Sequence, residues 1–249
     1  MSINIAELQT EVFYEETNAL WVFAYGSLCW RPGIHFHKAV TGYVEGFQRR
    51  FWQGNTAHRG TKKQPGRVAT LVEGQGTVHG IAFAISGEAA VPYLSQRECK
   101  LGGYVSHFTT FHPVHGEPFQ ALVYIADSTN SQWLGDADER TIAYEIINSR
   151  GPCGTNVEYV IRLANFMREH FSDENDCHLF KLEEEVLSLV ASRKMCLKTL
   201  MGTGEGCVTF IRKKESDTFN YIADKKDARL DTFQYAMKIQ GTKLRCLNL

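Results

Sequence analysis

No stretch of the 249-residue sequence approaches the roughly 18–20 consecutive apolar residues of a membrane-spanning helix, so no membrane partner is expected. Positive charge is not in surplus either. With 27 Lys and Arg against 28 Asp and Glu, the formal charge is −1 and the pI is near 6.8. That balance argues against nucleic acid as the main partner, because phosphate binding draws on clustered Lys and Arg. Met1 to Asn18 hold Glu7, Glu11, Glu15 and Glu16 but no Lys or Arg, unlike a signal or transit peptide. The seven cysteines are odd in number, and none lies within four positions of another. They lack both the density of a secreted disulfide scaffold and the close pairs of a zinc site. Free thiols in a reducing cytoplasm are the simplest account. Internal repeats and low-complexity stretches are also absent.

What is present is an ordinary globular composition, 43% hydrophobic and 22% charged, with length enough for one large domain or two small ones. The charge is uneven. Residues 1–194 carry −5 and residues 195–249 carry +4, which suggests a domain with something appended near position 194.

After a short lead-in over residues 1–19, strand signals begin. Trp21–Tyr25, Tyr43–Gln53, Arg67–Glu73, Thr77–Ile85, Tyr104–His112 and Phe119–Ala126 are short runs rich in β-branched and aromatic residues. Turn residues bound them, and Gly74-Gln75-Gly76 reads as a turn between the third and fourth. A helix is expected around Ala89–Cys99, with Pro92 in its first turn. From about Asp138 the period becomes helical. Ile142, Ile146 and Ile147 share one face, as do Tyr159, Leu163, Phe166 and Met167, and then Leu179, Leu182, Val186 and Leu189. Strands followed by helices imply an α+β fold, a mostly antiparallel sheet or small barrel with helices on one side. In the tail, Cys207–Arg212 suggests a strand and Leu230–Ile239 a helix.

Two segments are candidates for chemistry. Trp21 to Leu28 runs a buried strand straight into Gly26-Ser27. Glycine allows a close backbone approach to a ligand, and turn N–H groups make an anion site or oxyanion hole. The same residues also read as a plain strand end and turn. Glu98 lies at the end of the expected helix, ahead of Gly102-Gly103-Tyr104. Desolvation and the helix dipole would raise its pKa toward that of a general base, whereas pairing with Arg97 would make it a solvated surface residue.

Taken together, the motifs of this chain resemble the ChaC-type γ-glutamylcyclotransferases, in the glutathione-specific branch. The resemblance rests on Val22-Phe23-Ala24-Tyr25-Gly26-Ser27-Leu28-Cys29-Trp30, Gly42-Tyr43, Arg49-Arg50-Phe51-Trp52-Gln53-Gly54 and His58-Arg59-Gly60. It continues through Pro65-Gly66-Arg67-Val68-Ala69-Thr70-Leu71-Val72, Tyr93-Leu94, Arg97-Glu98, Gly102-Gly103-Tyr104, Gly151-Pro152 and Gly154-Thr155-Asn156-Val157-Glu158-Tyr159. The resemblance implies a small, mostly antiparallel β-barrel with flanking helices over residues 20–193. It leaves residues 194–249 as an extension of unknown role. It implies cleavage of glutathione to 5-oxoproline and cysteinylglycine without cofactor or metal. Glu98 matches the catalytic glutamate, and Val22, Phe23, Ala24, Tyr25, Gly26, Ser27 and Leu28 match the γ-glutamyl-binding loop. Arg67, Tyr104 and Tyr124 are further candidates for the substrate's pocket. Here Cys99-Lys100-Leu101 separate Glu98 from Gly102-Gly103-Tyr104, a longer step than is usual in the family.

Rival signals are weaker. His35/His37 and His112/His115 lack a completing Cys or carboxylate cluster, so surface histidines are expected. Gly202-Thr203-Gly204-Glu205-Gly206 precedes a strand-like run, the wrong order for a dinucleotide loop. Other γ-glutamyl peptides or amines are alternative substrates, and a non-catalytic sensor of a γ-glutamyl metabolite is the alternative class. Asn55–Gln64 is polar and basic, and is expected to be a mobile loop closing over the glycine end of glutathione.

Overall fold

The runs of β-branched and aromatic residues close into a ring. The computed structural model describes residues 19–86, 94, 99, 103–204, 206–213 and 216–223. Five strands, β1 (Ala19–Ala24), β2 (Lys38–Asn55), β3 (Gly66–Ser86), β4 (Val105–Pro113) and β5 (Phe119–Ile125), form a closed barrel in the order β1-β3-β2-β4-β5. Strand neighbours run antiparallel except where β1 meets β5, in parallel at Val22 and Leu122, which closes the ring and removes the open edges. The expected α+β architecture with a mostly antiparallel barrel is the one found.

One expectation about the strands is corrected. Gly74-Gln75-Gly76 does not reverse the chain. Glu73 pairs with Phe47 and Thr77 with Glu45, so both flanks stay on the same partner and the three residues bulge opposite Gly46. Gly46 takes a φ of 80°, and the Gln48 Nε2 donates to the Gln75 carbonyl at 3.1 Å. Pairing with β2 on both sides outweighs the local turn signal. The bulge adds the twist that a small barrel needs.

Helices α1 (Glu139–Asn148), α2 (Asn156–His170) and α3 (Cys177–Ser192) follow. Each starts at a capping side chain: Asp138 accepts from Thr141 N at 2.9 Å, Thr155 from Glu158 N at 3.1 Å and Asp176 from Leu179 N at 3.1 Å. Their apolar stripes are buried as the spacing predicts, with Val190 deeper than Leu189 at the end of α3. One continuous core joins Phe51, Leu71, Ile81, Phe83 and Phe111 of the barrel to Ile142, Ile146, Leu163 and Leu182 of the helices. Between α1 and α2, the short strands β6 (Arg150–Gly151) and β7 (Gly154–Thr155) pair across Pro152-Cys153.

Beyond α3 come α4 (Leu197–Met201) and a hairpin of β8 (Val208–Lys213) with β9 (Ser216–Ala223), which includes the strand expected at Cys207–Arg212. Among the described residues no helix is long and apolar enough to cross a membrane. The lead-in Met1–Asn18, most of the helix expected at Ala89–Cys99 and the helix expected at Leu230–Ile239 lie outside the described residues.

Candidate active site

Strand β1 delivers Tyr25 and Gly26 into a single tight turn. Cys29 N donates to the Gly26 carbonyl at 2.9 Å and Trp30 N to the Ser27 carbonyl at 3.3 Å, so residues 27–29 form one 3-10 turn. Beside it opens a cavity of about 380 Å³, mouth included, lined by Phe23 to Leu28, Ala69, Tyr104, Tyr124 and Tyr159. Its chemistry is uniform. The lining residues are tyrosines, a serine, a glycine and apolar residues, and none of them carries a carboxylate, imidazole or amine.

The tyrosines are held by backbone groups of the barrel. Tyr25 donates its hydroxyl to the Tyr124 carbonyl at 2.5 Å, and Tyr104 donates to the Ala69 carbonyl at 3.1 Å. The Tyr159 hydroxyl accepts from Ala69 N at 3.2 Å. A Cβ on Gly26 would sit 2.8 Å from that hydroxyl. Glycine is required there by close approach, so the turn can lie directly against the α2 tyrosine.

The sequence candidates separate into groups. Phe23, Ala24, Tyr25, Gly26, Ser27, Leu28, Tyr104 and Tyr124 come together around the cavity. Val22 stays in the barrel wall, fully buried. Arg67 is not among the residues that line the cavity. Its Nε donates to Glu145 at 2.5 Å and its Nη1 to the Gly135 carbonyl at 2.6 Å, so it braces β3 against α1. Glu98 lies outside the described residues. Its neighbour Cys99 is described, and the Cys99 carbonyl accepts from Gly103 N at 2.9 Å. Gly103, at φ 68°, directly precedes Tyr104. Ala69 and Tyr159 line the cavity as well, although the sequence reading placed Tyr159 on a core helix face. The position of Tyr159 in the last motif of the resemblance was the available signal.

The Asn55–Gln64 loop is built, not loose, over its first half. Asn55 Oδ1 accepts from His58 N at 2.7 Å and Arg59 N at 2.8 Å, and Cys153 N donates to the His58 carbonyl at 3.0 Å. Arg59 reaches Glu158 at 2.7 Å, and the other Glu158 oxygen accepts from Arg162 Nε at 2.9 Å. Gly60 and Gly151 lie where a Cβ would strike backbone, at 2.1 Å from Gly66 N and 2.2 Å from the His58 carbonyl oxygen. The expected mobile loop is therefore corrected over residues 55–60: these motif residues fasten the loop to the start of α2. Only its tip, with Lys62 and Lys63, is exposed.

Two other candidate chemistries can be placed. The Cys29 thiol is fully buried and donates to the Ala24 carbonyl at 3.3 Å. Burial pushes its pKa up to about 12, so it is a neutral packing group rather than a nucleophile. Among the described residues no cluster of His, Cys, Asp and Glu could hold a metal ion, and the six described cysteines are free thiols.

The human glutathione-specific gamma-glutamylcyclotransferase 1 is 44% identical to this chain over 177 residues, covering 69% of the chain and 80% of that protein. The Danio rerio protein of the same name is 41% identical over 179 residues, covering 70% of the chain and 91% of its own length. Among solved structures, a gamma-glutamyl cyclotransferase from yeast specific to glutathione superposes with a TM-score of 0.64 at 27% identity, over 68% of this chain and 96% of that one. A family profile described as ChaC-like protein matches residues 20–189, and with barrel, cavity and motifs in agreement the chain belongs to the ChaC-like family.

Proposed function

We propose that this chain cleaves glutathione to 5-oxoproline and cysteinylglycine, with residues 20–193 as the catalytic domain. The observation that carries this reading is the turn at Gly26–Leu28 set against Tyr104, Tyr124 and Tyr159 in one cavity. The names of the relatives support glutathione as the substrate. The free thiols fit work in a reducing cytoplasm.

The reaction needs little from the protein. The substrate's α-ammonium gives a proton to a base, and its nitrogen attacks the γ-carbonyl of the same molecule. As the five-membered ring closes the ring nitrogen sheds a second proton to solvent, and the bond to the cysteinyl nitrogen breaks as that nitrogen takes up the proton held by the base; the released amine then gains a further proton from solvent. Nucleophile and electrophile share one chain, so holding the folded conformer lowers the barrier. The amides of Gly26 to Leu28 serve an anionic oxygen of the γ-glutamyl group, its α-carboxylate or the developing oxyanion. The tyrosines shape the cavity around the rest.

The described lining supplies no base. Glu98 fills that place, taking the proton from the amine and returning it to the leaving group. Tyr104 lies next to Gly103, whose N–H is bonded to the Cys99 carbonyl, and Glu98 is next to Cys99 in sequence. That short link supports placing the carboxylate at this cavity. No step calls for an enzyme nucleophile, in keeping with the inert Cys29.

Incubation with millimolar glutathione should yield 5-oxoproline and cysteinylglycine in equal amounts. Absence of both would overturn the reading. Equal rates on γ-glutamyl-alanine would remove its glutathione specificity.

A further inference from the structure

The family match ends at residue 189, yet the chain beyond it returns to the cavity. Val208 N, in β8, donates to the Trp30 carbonyl at 2.8 Å. Trp30 closes the binding turn through its own N–H to Ser27 at 3.3 Å, and its ring meets Tyr159 edge-on at 5.0 Å. Just before β8, the Leu200 carbonyl accepts from Thr155 Oγ1 at 2.7 Å. The same hydroxyl caps α2 by accepting from Glu158 N, one residue before Tyr159. Phe210 is 2% exposed, packed against Phe36, Phe83 and His170, and Cys207 belongs to the same core.

We propose that Leu200, Val208 and Phe210 act as a brace that sets the spacing between the binding turn and Tyr159, making Val208 and Phe210 positioning residues for the reaction. One short segment grips both walls: the turn through Trp30, and α2 through Thr155. The spacing between those walls has no slack. A single methyl on Gly26 would already be 2.8 Å from the Tyr159 hydroxyl. A shift of a few tenths of an ångström therefore changes what the cavity accepts.

The kinetic half of this inference rests on the proposed reaction, and the structural half does not. The test uses the full-length chain with Val208→Pro, which deletes the donor to Trp30, and Phe210→Ala, which empties the anchor. Phe210→Leu serves as the conservative rescue and Glu184→Ala as an exposed control. Hydrogen exchange of the peptide spanning residues 26–31 should speed up at least tenfold in the first two variants. KM for glutathione should rise about tenfold with kcat changed less than threefold, and Phe210→Leu should recover most of it. Unchanged exchange in both variants overturns the brace. Faster exchange with unchanged KM overturns its role in the reaction. If one variant fails to fold, the other decides. A wild-type chain that turns over no glutathione defeats the proposed function, and exchange alone then decides the brace.

Discussion

Asn156 and Arg67 are bound to each other twice, with the side chain of one serving the backbone of the other. Asn156 Oδ1 accepts from Arg67 N at 2.6 Å, and its Nδ2 donates to the Arg67 carbonyl at 2.7 Å. The amide side chain thus takes the place of a neighbouring strand beside β3. It fixes the first residue of α2 to the barrel, three positions before Tyr159.

Asn156→Ala should cost roughly 2–4 kcal/mol, because two hydrogen bonds go and a buried N–H and C=O are left unpaired. Urea unfolding measures it. A loss below about 0.5 kcal/mol would mean that water or the Arg67 backbone repairs the gap.

Gly26→Ala should impair turnover and lower the melting temperature, since the added methyl meets the hydroxyl of the buried Tyr159. Tyr159→Phe removes that oxygen. The pair together should therefore recover part of the lost kcat/KM. A double variant no better than Gly26→Ala alone would place the damage in the turn's backbone.

Glu98→Gln should keep the fold and lower kcat by roughly 10²–10⁴, the usual range for a general acid–base group. Circular dichroism checks the fold and 5-oxoproline release checks the rate. Activity within tenfold of wild type would point to another base.

His178 gives a pH signature. Burial is the main cause that holds its pKa below 6.5, with the Arg50 charge adding to the effect. Its Nε2 accepts from Phe51 N at 3.2 Å, which requires the unprotonated nitrogen. Below pH 6.5 the unfolded chain binds this proton more readily than the folded one. The stability contribution is thus complete above pH 6.5 and is lost as the pH falls toward the depressed folded value. Half-buried His79, also lowered chiefly by burial, adds a slope of the same sign. Unfolding followed from pH 7.5 to 5.5 should show this decline, and His178→Gln should flatten it. An unchanged slope in the variant would assign the decline to His79 or the carboxylates.

Strand and helix positions were legible because their signals are local. The binding turn was legible because Gly26-Ser27 follows an apolar strand directly. Three features depended on distant partners and were not legible. Gly74-Gln75-Gly76 carries the composition of a turn, and only the pairing of both flanks with β2 makes it a bulge. Arg67 was a candidate for the pocket from its position alone, and its bonds to Glu145 and to the Gly135 carbonyl come from residues far along the chain. Tyr159 has the spacing of a core residue and is 4% exposed, as a core residue would be, yet it also lines the cavity.

The ring closure has a kinetic consequence. The strand that ends in the binding turn is also the one that seals the barrel, pairing with β3 at Ala24–Ile81 and with β5 at Val22–Leu122. These contacts span long stretches of chain and are slow to form. During synthesis, β1 emerges before the other four barrel strands and gains its second neighbour only after Leu122 has left the ribosome. Until then its edge is open and the cavity has no far wall. The first of the five barrel strands to be made is among the last to be satisfied, so the cavity is completed late, together with the ring.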